Sequence, residues 1–306
     1  MNMRITLRQI GVFAAIARSE NVSRAAEALA MSQSAASSAL VELERQFDCP
    51  LFDRIGKSLR LNATGRGLLP QAEDLLARAG EIEGFLAGGQ LGPLAVGATM
   101  TIGNYLATLI VADYLQCHPA SRLDLRVANT RRILDGVLRC ELDLGLIEGE
   151  VLDPDLVLDP WLADELVVFC APQHPLAAAG HASSEQLAAQ PWILREAGSG
   201  TRALFDRAIA PHLSTLQIRL QLEHTEAIKR AVEAGLGLAC LSRLALREAF
   251  RRGSLVELRT PQFDLQRNFH FVRHRQRHVS PSSRAFLALC RDFDGGQQAG
   301  GRLATG

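Results

Sequence analysis

The sequence predicts a mixed α/β protein in three parts: an N-terminal winged helix-turn-helix, a linker helix, and a two-lobed α/β domain. Three observations carry this expectation. Residues 1–62 hold short stretches of helical spacing followed by a two-stranded pattern. Residues 63–90 carry an apolar repeat of seven. From residue 91 onward, β-branched or leucine-rich runs alternate with helical stretches. At 306 residues the chain is long enough for two domains and for a core that needs no disulfides.

The charge balance narrows the partners. The chain has 33 Lys+Arg against 33 Asp+Glu, a formal net charge of zero. That excludes a protein that coats nucleic acid or anionic membrane by bulk charge. The balance is uneven along the chain: net +2 over residues 1–62, −2 over 63–90, −7 over 91–242 and +7 over 243–306. Of the basic residues only Lys57 and Lys229 are lysine. No apolar run approaches the roughly 18 residues of a membrane helix. The start, MNMRITLRQI, lacks a signal-peptide pattern, so a cytoplasmic protein with no membrane partner is expected. Cys49, Cys117, Cys140, Cys170, Cys240 and Cys290 stand singly, which fits reduced thiols and neither a disulfide framework nor a zinc site.

Residues 6–19 place Leu7, Ile10, Phe13, Ala14 and Ala17 on one helical face, with Thr6 as N-cap. After a turn at Glu20-Asn21, a short helix from Arg24 to Ala30 is expected, capped by Ser23, with Ala25 and Ala26 inward. A third helix runs from about Gln33 to Phe47. Its inward face is Ala36, Leu40, Leu43 and Phe47; Gln33, Ser34, Ser37 and Ser38 point outward near its start. Two helices joined by a short turn, the second polar at its N-terminal end, fit a DNA major groove. In LFDRIGKSLRLN, Leu51, Phe52, Leu59 and Leu61 can face inward around an Ile55-Gly56 turn. Arg54, Lys57 and Arg60 then lie outside, where phosphates are.

The run SRAAEALAMSQSAASSALVELERQFDCPLFDRIGKSLRLNATG resembles the DNA-binding domain of LysR-type transcriptional regulators. The resemblance implies a dimeric reader of double-stranded promoter DNA, with RNA polymerase as a further partner. It implies DNA contacts from Ser23, Arg24, Ser32, Gln33, Ser34, Ser37, Ser38, Arg54, Lys57 and Arg60. Ser38 stands where an arginine is frequent in the family, which removes one strong contact from the expected set.

In residues 64–88, Leu68, Leu75 and Ile82 recur every seven residues, as do Ala72, Ala79 and Leu86, offset by four. Such a helix can pack on its own domain or against a second copy; its place between the wing and the Gly88-Gly89 break favours the second. Pro70 predicts a kink in the first turns. The family resemblance likewise implies a homodimer or homotetramer built through this helix.

Candidate strands follow at 94–99, 123–128, 142–147, 165–170, 192–194, 217–223, 238–242 and 269–273. Candidate helices cover 103–117, 130–139, 200–212, 225–234, 243–252 and 281–293. The alternation predicts parallel sheets covered by helices. The resemblance implies lobes at 91–164 plus 266–295 and at 165–265, an architecture similar to periplasmic binding proteins, with a flexible tail at 296–306. In open α/β folds ligands bind beyond the carboxyl ends of strands, where helices begin. Three such places are Thr99-Met100-Thr101-Ile102, Ser199-Gly200-Thr201-Arg202 and His224-Thr225, with Glu148-Gly149 as a fourth wall. Each alone reads as a helix cap; together they outline one effector site. The short polar lining and the helix N-termini suit a small anion, a carboxylate or a sulfur or phosphorus oxyanion. Glu148 would repel it unless paired, for example with Arg202 or His224.

The resemblance adds that Thr99, Thr101 and Thr201 align with family positions lining the effector pocket. TMTIGNYL, REAGSGTR and HTEAIKRAVEAGLGLACLSR resemble the branch of sulfur and cyanate-pathway regulators. An enzyme is not expected. Ser199 lies in A-G-S-G-T, not in a nucleophile elbow, and no phosphate loop occurs. His274 and His278 fall on strand then loop rather than on one helix, so no metal pair is predicted. With Arg273, Arg275 and Arg277 they read as a solvated basic edge. No catalytic residue, metal or cofactor is assigned.

Overall fold

A computed structural model describes residues 4–55, 58–86, 91–149, 151–212 and 216–293. The Gly88-Gly89 break, Lys57 and the 296–306 tail lie outside these residues. The first helix, α1 (Leu7–Ser19), opens with a reciprocal capping box. The Thr6 hydroxyl accepts from the Gln9 N–H, and the Gln9 side chain accepts from the Thr6 N–H. Helix α2 (Val22–Ala28) begins earlier than expected. Its cap is Asn21, which accepts from the Arg24 N–H at 3.1 Å, so Ser23 sits exposed in the first turn instead of capping. Helix α3 (Gln33–Phe47) is capped by Ser32. Ile10, Phe13, Ala14, Ala17, Ala25, Ala26, Ala36, Leu40 and Leu43 close a small core. Leu7 and Phe47, expected inward, are each 51% exposed, because each is the terminal residue of its helix.

The wing pairs β1 (Phe52–Ile55) antiparallel with β2 (Ser58–Leu61); Leu51 and Phe52 are buried against the helices. The linker helix α4 (Ala63–Leu86) is unbroken through Pro70. Its seven-residue pattern is divided between two uses. Ala72 and the off-pattern Leu69 are buried in the winged-helix core and Leu68 packs half-buried against it, whereas Leu75, Ile82 and Leu86 stay exposed.

The remaining chain alternates as predicted. In order come β3 (Leu94–Thr99), α5 (Met100–Ile102), a π-helical turn at Gly103–Ala107, α6 (Thr108–Cys117), β4 (Leu123–Ala128), α7 (Thr130–Leu138), β5 (Leu144–Glu148) and β6 (Leu156–Cys170). Then follow α8 (Ser184–Ala188), β7 (Pro191–Arg195), α9 (Gly200–Ile209), β8 (Gln217–Leu222), α10 (Thr225–Glu233) and β9 (Ala239–Ser242). Last are α11 (Arg243–Arg251), β10 (Val256–Leu258), β11 (Gln266–His274) and α12 (Pro281–Asp292).

The large sheet runs β10-β6-β11-β5-β3-β4, with β9 also on β6. The parallel expectation holds for β3 with β4 and β5, and for β7 with β8. It fails where the lobes join: β11 is antiparallel to both β5 and β6, and β6 is antiparallel to β9 and β10. These two long strands carry the chain from one lobe to the other and back. The β6 strand begins at Leu156 rather than Glu165. It accommodates Pro160 where its register with β11 shifts between Asn268 and His270. One lobe packs Val96, Ile102 and Tyr114 with Phe269, Phe271 and Phe286; the other packs Val168, Trp192, Phe205 and Leu238.

The predicted basic edge is largely structural. Arg275 donates to the carbonyls of Pro154 (2.7 Å) and Leu156 (3.0 Å), and Arg277 to Leu142 carbonyl (3.1 Å) and Asp143 (2.7 Å). His278 ties the two-lobed domain to the linker helix, its backbone N–H donating to Asp74 at 2.8 Å and its Nε2 lying 3.3 Å from Glu81. Cys140, held at φ +55°, is buried in the same apolar cluster as α1, α2 and α3.

Candidate functional site

The carboxylate of Glu148, at the end of β5, is the centre of a buried polar seam between the lobes. Its Oε1 accepts from the Thr101 backbone N–H at 2.9 Å. Its Oε2 accepts from the Thr201 hydroxyl at 3.1 Å and from Arg267 Nη1 at 3.2 Å. Arg267 Nη1 also donates to the Thr201 oxygen at 3.0 Å, so the Thr201 proton is directed at Glu148. Burial alone would raise the Glu148 pKa, but the Arg267 charge and the Thr101 hydrogen bond outweigh it and hold the carboxyl below its usual range. Glu148 is therefore ionised at neutral pH and locks three donors from both lobes and the crossing strand.

The sequence anticipated that Glu148 needs a partner and offered Arg202 or His224 as examples; neither pairs with it. Arg202 is engaged elsewhere, donating to Asp206 (2.8 Å) and to the Arg195 carbonyl (3.0 Å). His224 is exposed and precedes α10 without capping it through its side chain. The partner is Arg267 on β11, whose Nε also donates to Asp164 at 2.7 Å; Asp164 accepts in turn from the Ser242 hydroxyl at 2.7 Å. A signal for Arg267 existed. It falls in the same alternation as Phe269 and Phe271, both buried, so a longer β11 would have put a charge on a core-facing position. Thr130 was missed too: its hydroxyl accepts from the Gly200 N–H across the lobes at 3.1 Å.

Other anticipated residues divide by role. Gly149, Ser199, Gly200 and Arg202 line a cleft of about 590 Å³ between the lobes, with Glu148, Arg267 and the unanticipated Thr130. Gly149 needs its glycine, at φ +82°. Gly200 needs its own because a Cβ there would stand 2.5 Å from the Glu148 carbonyl oxygen. Ser199 caps α9 through the Arg202 N–H. Thr99 is buried and reaches the Leu146 carbonyl at 3.4 Å. Met100 is half-buried, and Ile102 belongs to the apolar core rather than to a polar wall. Buried polar atoms without a protein partner include Arg267 Nη2 and His270 Nδ1 on β11 and Thr225 Oγ1 at the start of α10.

The start of α3 exposes Gln33, Ser34 and Ser38, with Ser37 half-buried; the Ser32 hydroxyl accepts from the Ala35 N–H at 3.2 Å. Arg24 and Arg60 are exposed, Arg60 with its guanidinium on Glu20. The placement of Arg54 is described for its backbone only, on β1.

Residues 7–66 match the family model described as bacterial regulatory helix-turn-helix protein, lysR family, and residues 87–294 match that of the LysR substrate binding domain. The chain is 43% identical over 288 residues to the HTH-type transcriptional regulator YeiE of Escherichia coli strain K12, spanning 94% of this chain and 98% of the relative. It is 30% identical to the HTH-type transcriptional activator CmpR of Synechocystis, over 92% and 93% of the two chains. Among solved structures, full-length OxyR from Pseudomonas aeruginosa superposes with a TM-score of 0.73 at 24% identity, covering 94% of each chain. The regulatory domain of Synechocystis CcmR in complex with 2-PG gives a TM-score of 0.61 at 27% identity, over 66% of this chain and 96% of that one. No helix of the described residues is long and apolar enough to cross a membrane.

Proposed function

The chain belongs to the LysR family of transcriptional regulators, and from that premise we propose that it switches transcription in response to a small anion held between its two lobes. It is a DNA-binding regulator with an effector-binding domain and not an enzyme. The anion is a sulfur oxyanion or a carboxylate. The observation that carries this reading is Glu148: a carboxylate already sits among the Thr101 N–H, the Thr201 hydroxyl and the Arg267 guanidinium. The donor set is that of an oxyanion site, and Arg267 keeps one further buried nitrogen without a partner. Since Glu148 is itself charged, a monoanion that retains a proton to share with it is favoured over a dianion.

Binding acts through lobe closure. An effector with unequal affinity for open and closed lobes shifts their balance, alters subunit packing, and resets the spacing of paired winged helices on promoter DNA in the cytoplasm, where RNA polymerase reads the outcome. The paired copies meet through the exposed row Leu75, Ile82 and Leu86; Ile82→Glu with Leu86→Glu is expected to yield monomers in sedimentation. Gln33, Ser34 and Ser37 face the bases, and Arg24 and Arg60 the phosphates.

The test is a thermal-shift screen of the full chain against sulfite, thiosulfate, sulfate, phosphate and small carboxylates. Footprinting on the gene's own upstream region, with and without the hit, follows. One anion is expected to raise Tm and change the footprint. If Thr99→Ala with Thr201→Ala leaves the shift intact, the site is wrong.

A further inference from the structure

The lobes also touch at a second place, away from Glu148. Tyr105 lies in the π-helical turn Gly103–Ala107, a wider coil than the α-helix on either side. Gly103 allows that turn to settle on β4, since a Cβ there would meet Val127 at 2.7 Å. From it the Tyr105 hydroxyl crosses the cleft and donates to Glu226 Oε1, in the first turn of α10, at 2.8 Å. The same oxygen accepts from Lys229 Nζ at 2.6 Å. Lys229 is buried, donates also to the Ala245 carbonyl at 3.1 Å, and holds its ammonium 6.0 Å from the Tyr105 ring centroid. In a chain whose basic residues are otherwise almost all arginine, this position keeps a lysine. A compact point charge with three donors serves one carboxylate, one carbonyl and one ring face; a planar guanidinium does not.

We propose that Tyr105, Glu226 and Lys229 form a latch that sets how readily the two lobes part. The inference rests on the reading that the lobes open and close, and it adds a control that acts before any effector arrives. Lys229 fixes the Glu226 carboxylate in one rotamer, and Tyr105 engages it only when the lobes meet. The Tyr105 hydroxyl remains a donor throughout, because burial first and the Glu226 carboxylate second push its pKa far up. Hydrogen bonds from Lys229 and Tyr105 outweigh burial and keep Glu226 ionised.

Hydrogen exchange on the effector-free full chain tests this. Two amides report on the other cross-lobe contacts: Gly200, donating to Thr130 Oγ1, and Arg131, donating to the Gly198 carbonyl. Tyr105→Phe removes only the hydroxyl and is expected to speed exchange at both by about threefold to tenfold. Amides of β9, inside one lobe, should be unchanged. Glu226→Gln should act in the same direction, and the double variant should add little to either single one. Unchanged exchange at Gly200 and Arg131 in Tyr105→Phe overturns the latch. So does an equal rise in β9, which would make Tyr105 a packing residue. The effector reading fails separately: an anion screen without a hit refutes it and leaves this exchange result standing.

Discussion

Glu148 and Arg267 face each other at 3.2 Å with both side chains 2% exposed, one at the end of a strand of the first lobe and the other on the strand that crosses back from the second. A buried pair of this kind is costly to break from one side only, since the survivor stays charged and unsolvated. Arg267→Met is expected to destabilise the protein by about 3–5 kcal/mol in urea unfolding. Glu148→Gln with Arg267→Met together should cost clearly less than the two single losses added. Additive losses would show that the two groups do not act as a pair.

Gly200 is a point of close approach between the lobes. A methyl group there meets the Glu148 carbonyl oxygen and the Thr130 hydroxyl, both across the seam. Gly200→Ala should therefore wedge the lobes apart at a cost of about 1–3 kcal/mol to the closed arrangement. Scattering should show a larger radius of gyration, and any anion-induced rise in Tm should shrink. A radius and a shift equal to wild type would contradict this.

Acid should weaken the protein in two stages. The His274 pKa is lowered from 6.5, chiefly by burial, so the unfolded chain takes up that proton first. Stability is full above about pH 6.5 and falls as pH drops through the depressed native value. Glu148 is also depressed, so its contribution persists down to about pH 4.3 and is lost below it. His274→Gln should flatten the first stage and leave the second, as read from Tm against pH.

On DNA, Gln33→Ala should relax discrimination at one base pair by about 1–3 kcal/mol while leaving the salt dependence nearly intact. Arg60→Gln should do the reverse, weakening all sequences and reducing the slope of log K against log salt by about 0.9. Competition binding at several salt concentrations separates them. A Gln33 variant that weakens every sequence alike would remove it from base reading.

Much of this was legible beforehand because its causes are local. Thr6 and Ser199 announce helix starts, and the alternation after residue 91 announces β and α units. Thr101 and Thr201 were found by the same rule, as hydroxyls opening helices after strands. Arg267 was not, because its meaning lies in Glu148, 119 residues away. The early start of β6 was hidden by Pro160, which reads as a strand breaker until the register shift beside it is seen. The division of the linker helix between two partners was hidden as well, since Ala72 looks alike in either use.

Cys140 leaves the sensor and enters the apolar cluster of the DNA-reading head, beside the ion pair of Arg18 with Glu73. A buried contact shared by two parts couples their unfolding. Calorimetry on the intact chain should record one cooperative endotherm rather than two, and damage to either part should surface as fragility in both.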